Sequence, residues 1–138
     1  AWVWSRRQMV ETAIHRWDAE VATVGTSTLD ARLGADAIDE HLTMLLPRGL
    51  ERAGVPTPSS SLHVHCTDAG LPDGAGEWLV WNDNGTYRVS AEHRKGDAAL
   101  RGSAADLLLV LVGRLDRTAV ETLGDPEAAA AWIDLQGR

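Results

Sequence analysis

The dipeptide Asn84-Gly85 constrains this chain more than any other feature of its sequence. It lies between two segments of strand character, Glu77 to Asn82 and Thr86 to Ala91, joined through Asp83-Asn84-Gly85. Asn-Gly accepts the positive-φ backbone of a tight hairpin turn, so the two segments are expected to pair antiparallel. A further strand is expected over Ser61 to Asp68, where Leu62, Val64 and Cys66 take one face and His63, His65 and Thr67 the other. A fourth covers Asp97 to Arg101, and a short extended piece lies near Val120 to Leu123.

Helical periodicity surrounds these strands. At about 100° per residue, Val3, Val10, Ile14, Trp17 and Val21 fall in one narrow stripe, which predicts an amphipathic helix from about Ser5 to Val24. Gly25 is its natural stop. A second helix is expected from about Ala35 to Ala53, carrying Ile38, Leu42, Leu45, Leu46 and Leu50, with Pro47 kinking or dividing it. Ser103 with Asp106 three residues on forms a capping-box pattern for a third helix. Its run Leu107-Leu108-Leu109-Val110-Leu111-Val112 is apolar all round, so it belongs in the centre, on the sheet. Asp125-Pro126, an N-cap followed by proline at N1, opens a last helix that carries Trp132. There is no βαβ alternation. The expected fold class is therefore α+β: a mostly antiparallel sheet of three to five strands covered by helices on one face, preceded by one long amphipathic helix.

Composition narrows the function classes. The chain has 138 residues, 44% apolar and 24% charged, which suits one globular domain with or without an appendage. Phe is absent and there are six Trp, so large aromatic volume comes from indoles that each need an acceptor for their N–H when buried. A net charge of −7, with Lys95 the sole lysine, argues against a nucleic-acid binder. A single cysteine, Cys66, excludes an intrachain disulfide and suits a reducing compartment. No apolar run has the length of a membrane span, so the expected compartment is the cytoplasm, with no membrane partner. The chain opens Ala1-Trp2-Val3-Trp4, without Met, and enters a helical pattern almost at once. This suggests that further polypeptide precedes it.

Three groups of residues could carry chemistry. Glu11 and His15 are four apart on the first helix and share a face, with Asp18 within about 40° of both. Carboxylate and imidazole at this spacing can hold a divalent ion, or form no more than a surface ion pair. Two such ligands are too few for a catalytic zinc, which normally takes three from the protein. His63 and His65 share a strand face and could also bind metal, although such pairs more often mark a solvated sheet face. Cys66 points to the core as a small apolar residue. Arg101-Gly102-Ser103 precedes a helix N-terminus: capping explains Ser103, while Arg101 could grip a carboxylate.

The run Arg7-Gln8-Met9-Val10-Glu11-Thr12-Ala13-Ile14-His15-Arg16-Trp17-Asp18-Ala19-Glu20 resembles the mycothiol-dependent maleylpyruvate isomerase family, at the last helix of its DinB-like four-helix bundle. Asp36-Ala37-Ile38-Asp39-Glu40, Ser61 to Asp68, Leu100 to Leu109, Gly113-Arg114 and Leu123-Gly124-Asp125 follow in the order of that family's C-terminal, SCP2-like domain. The resemblance implies residues 1–24 as the last bundle helix, 25–34 as a linker and 35–138 as the α+β domain. It also implies Glu11 and His15 as two of three ligands to a divalent metal, zinc in the first instance. The third, a histidine on an earlier bundle helix, has no counterpart here. Mycothiol would be the thiol cosubstrate and a small acidic molecule the substrate, with Asp18 orienting His15 or the thiol and Arg101 touching a substrate carboxylate. On this reading the chain alone is inactive, and the missing bundle helices come from the same polypeptide or a second copy. Non-enzymatic alternatives are a small apolar ligand held between the sheet and the Leu107–Val112 helix, or self-association through an exposed Val10–Ile14–Trp17–Val21 stripe.

Overall fold

In the computed structural model, which describes residues 2–135, the Asn-Gly turn forms as expected. Asn84 and Gly85 take φ of 51° and 90°. They join β2 (Glu77–Asp83) to β3 (Thr86–Ser90), with Asp83 opposite Thr86 and Val80 opposite Val89. β1 (Leu62–Cys66) pairs antiparallel with β2, and β4 (Ala98–Gly102) antiparallel with β5 (Glu121–Gly124). β1 and β4 run parallel. The sheet order is β3-β2-β1-β4-β5, open and mostly antiparallel.

Strand alternation gives the sheet two different faces. Leu62, Val64, Cys66, Trp78, Val80, Ala98 and Leu100 are buried together in the core. α4 (Ala104–Leu111) and α5 (Pro126–Ile133) pack against this face on β1 and β4, and α2 (Ala31–Glu40) packs on α4. Leu107, Leu108 and Leu111 of α4 are at most 2% exposed and belong to the same core. Their apolar surface is thus committed to packing within the chain. The two buried indoles find the acceptors that their N–H groups require. Trp78 Nε1 donates to Asp39 Oδ1 at 3.0 Å and Trp132 Nε1 to the Ser60 carbonyl at 3.1 Å.

The second helix departs from expectation at its start. It begins at Ala31, because Asp30 caps it by accepting from the Leu33 amide at 3.0 Å. The expected linker over 25–34 is therefore shorter, and 31–34 are helical. Gly34 lets α2 approach α4: a Cβ there would stand 3.0 Å from the Ala104 carbonyl carbon. Pro47 does divide the helix. The chain passes through a π-helical turn, His41–Leu45, into α3 (Leu46–Ala53), with Pro47 in the first turn of the new segment. A wider turn relieves the missing N–H and the ring clash that proline imposes on an α-helix.

The first helix, α1 (Trp2–Val24), lies on the chain's own domain. Val10 and Ile14, 2% and 8% exposed, join the core, and Trp17 and Val21 are half-buried. The expected exposed stripe is therefore covered from within, and the exposed apolar residues at this end are Trp2, Val3, Trp4 and Met9. Arg6 fixes the docking by donating to the Asp36 carboxylate and carbonyl at 2.9 and 2.8 Å and to Asp39 at 3.1 Å. Arg114, just beyond α4, donates to both carboxylate oxygens of Asp18 at 3.3 and 3.2 Å. Among the described residues no helix is long and apolar enough to cross a membrane.

Candidate functional site

On α1 the strip read from spacing exists as a local constellation. Glu11 Oε2 and His15 Nε2 lie 3.3 Å apart, and His15 Nδ1 lies 3.6 Å from Asp18 Oδ2. His15 is 66% exposed, so its ring is open to ligand or solvent. Two donors bound to one tetrahedral zinc at 2.0–2.1 Å stand about 3.3 Å apart, so the Glu11–His15 pair fits two corners of such a site. Among the described residues this strip supplies a pair and no mutually close triad. Arg7 pairs with Glu11 and also reaches Glu40 Oε2 at 3.5 Å. Glu40 is wholly buried, and its Oε1 has no hydrogen-bond partner among the described residues. Arg7 thus provides charge balance for an interior carboxylate beside the strip. Asp18 is engaged by Arg114, which makes it a docking contact as well as a neighbour of His15.

A second constellation lies on the sheet face away from the helices. Register sets His63 opposite Leu79 and Ala99, and His65 opposite Glu77 and Arg101. His63, His65 and Glu77 therefore project from adjacent strands on one face. The chain must then travel from β3, at one edge, to β4, beyond β1. Residues 91–97 make this crossing over β2 and β1, and their contacts mark the path. The Arg94 guanidinium sits 5.8 Å above the Trp81 ring. A Cβ on Gly96 would stand 3.0 Å from the His63 amide nitrogen. His93 is thereby placed on the three residues beneath. Glu77 Oε2 is 3.0 Å from His63 Nε2 and 2.5 Å from His93 Nδ1, and Glu77 Oε1 is 3.2 Å from His65 Nε2.

Electrostatics follow from this packing. Burial opposes ionisation of Glu77, but hydrogen bonds from His93 and His63 and the charges of His65 and His93 prevail, so its carboxyl lies below the ordinary range. Burial pushes His65 down; Glu77 opposes the shift, while Arg101, His63 and His93 reinforce it. The result is an ionised carboxylate beside an imidazole biased towards its neutral form. His63, His65, Glu77 and His93 could hold a metal ion. Spacing along the chain showed only His63 and His65. Glu77 could have been found from the hairpin register, whereas His93 comes from a loop whose route depends on strand order.

Arg101 stands on this same open face beside His65 and pairs with Glu121 at 3.5 Å. Strand pairing thus groups it with the histidines of the sheet. Cys66 is buried on the opposite face, where burial, with Asp68 and Glu77 adding to it, pushes its thiol up to about 12. The N-terminus of α4 is closed by protein groups. Ser103 Oγ accepts from the Asp106 amide at 3.1 Å, and Asp68 accepts from the Ala104 amide at 2.7 Å. Capping accounts for Ser103, and Asp68 supplies the negative charge that a helix N-terminus favours.

Architecture and site together define an α+β domain with an open sheet, helices on one face and a docked N-terminal helix bearing Glu11 and His15. The family model described as the MDMPI C-terminal domain matches residues 32–131, and the chain belongs to that family. A crystal structure of sterol carrier protein 2 is similar at 19% identity and a TM-score of 0.42, over 74% of this chain and 85% of that one. No curated protein matches the chain.

Proposed function

We propose that this chain is the C-terminal portion of a mycothiol-dependent metalloenzyme of the maleylpyruvate isomerase family, acting on a small acidic substrate. The family match over 32–131 is the observation that carries this reading. The α1 geometry supports it, because Glu11 and His15 present a carboxylate and an imidazole at the separation of two ligands on one ion. Zinc bound there would stabilise the thiolate, the nucleophilic form of a thiol cosubstrate. Glu11 and His15 would bind the ion, and Arg7 would hold the Glu11 carboxylate while neutralising Glu40. Asp18, held by Arg114, would keep α1 seated on the domain so that His15 keeps its position. The test is mycothiol-dependent isomerisation of maleylpyruvate by the protein expressed from its complete reading frame. Activity that His15→Ala and Glu11→Gln both abolish supports the reading; activity that survives both substitutions contradicts it.

Small-ligand binding without catalysis rests on a cavity of about 390 Å³ between α2 and the 71–78 segment, lined by Arg32, Asp36, Asp39, Leu71 and Trp78 among others. Its size is that of a small-molecule site. It differs from the expected space under the Leu107–Val112 helix, which is packed. Retention of a small ligand by the purified protein, lost on Trp78→Ala, would favour this second reading.

A further inference from the structure

We propose that His63, His65, Glu77 and His93 form a second metal site, for zinc or a similar first-row divalent ion, which pins the 91–97 crossover to the open face of the sheet. It is separate from the α1 pair and does not depend on the function proposed above.

Three observations carry the proposal. First, ligand atoms from four side chains, contributed by β1, β2 and the crossover, all lie within 4.8 Å of one another. Glu77 reaches His63 Nε2 and His93 Nδ1 through Oε2, at 3.0 and 2.5 Å, and His65 Nε2 through Oε1, at 3.2 Å, and an ion would have to spread the closer of these contacts. Tetrahedral zinc sets its ligand atoms about 3.3 Å apart. Second, the imidazoles are grouped around a point. Their ring centroids are 5.4, 5.6 and 6.1 Å apart, and His93 stands nearly perpendicular to the other two. Three imidazoles bound through nitrogen at 2.0–2.1 Å would have centroids roughly 5 Å apart, close to what is found. Third, the cluster has access and backing. A cavity of about 300 Å³, lined by His63, His93, Lys95, Gly96, Ala99 and Leu123 among others, opens beside it. His63, with its side chain 8% exposed, forms the inner wall, and His93, 78% exposed, the outer.

The donor set selects the ion. Three imidazole nitrogens and one carboxylate oxygen suit zinc and its first-row neighbours, whereas calcium and magnesium take oxygen ligands. Four protein ligands make a closed, structural site. Coordination through His93 would add to the contacts that Arg94, Gly96 and Asp97 already make and hold the crossover to the sheet.

The experiment uses the protein from its complete reading frame in a His15→Ala background, which removes the α1 pair. Zinc content and cobalt(II) absorption are measured with and without His93→Ala. His93 is exposed, so its loss leaves the core intact, and circular dichroism of both metal-free variants checks this. The expected result is one ion per chain in His15→Ala, with the visible bands of tetrahedral cobalt. Its affinity should fall in the double variant by more than the roughly 10–100-fold typical of losing an outer-shell partner. Zinc should also raise the melting temperature of His15→Ala and leave the double variant unchanged. No ion in His15→Ala, or binding indifferent to His93→Ala, would overturn the proposal. Failure of the α1 reading would instead show as equal metal content in wild type and His15→Ala, so the two readings fail separately.

Discussion

Two buried titratable side chains show how position decides chemistry in this fold. Cys66 lies one residue from the sheet histidines, yet strand alternation turns it into the core, where the thiol is pushed up to about 12. The thiolate is the reactive form, so Cys66 is inert while the protein is folded. Iodoacetamide at pH 8 should leave it unmodified for hours in the native protein and label it promptly in denaturant, as read by mass spectrometry. His41, in the π-helical turn, is lowered from 6.5 to about 4 by burial, with the nearby Arg7 charge adding to it. Below pH 6.5 the unfolded chain binds a proton that folded His41 refuses until about pH 4. Its contribution to stability is therefore intact above pH 6.5 and is lost as pH falls through this window, by up to about 3 kcal/mol. Urea melts between pH 7 and 4.5 should show a steeper loss in wild type than in His41→Gln; parallel curves would exclude His41 as the cause.

Among the elements, most of the fold was legible. The Asn-Gly turn, the strand alternation, the Ser103 cap and the Asp125-Pro126 start each depend on a few neighbouring residues, and each appears where those residues place it. What escaped depends on contacts between elements. The burial of Val10 and Ile14 needs Arg6 to meet Asp36 and Asp39, residues about thirty positions away. The parallel pairing of β1 with β4 follows from the crossover, which no local signal announces. Two glycines test the helical layer. Gly34→Ala pushes a methyl against the backbone of Ala104 and should destabilise by about 1–3 kcal/mol. Gly49→Ala, in α3 with nothing within 4 Å of the added Cβ, should stabilise by roughly 0.4–1 kcal/mol. A Gly34→Ala variant melting at or above the wild-type temperature would contradict the described packing of α2 on α4, and a Gly49→Ala variant melting below it would contradict the open surroundings of Gly49.

The whole molecule brings together what the chain keeps apart. Glu11 and His15 were readable because one helical turn joins them, and the pair is present at 3.3 Å. The sheet cluster was half readable: His63 and His65 share a strand, but Glu77 arrives by hairpin register and His93 by a loop crossing two strands. A site assembled by topology is invisible to periodicity. Arg101 illustrates the same point, since pairing of β1 with β4 sets it beside His65. At both constellations arginines meet carboxylates: Arg7 pairs with Glu11, Arg114 with Asp18 and Arg101 with Glu121. The metal-binding role proposed for α1, the helix docked on this MDMPI C-terminal domain, is a property of the whole molecule. It is tested most directly by the zinc content of the protein from its complete reading frame, measured beside His15→Ala. One ion fewer per chain is expected in the variant; equal zinc in the two proteins would contradict a metal-binding role for Glu11 and His15.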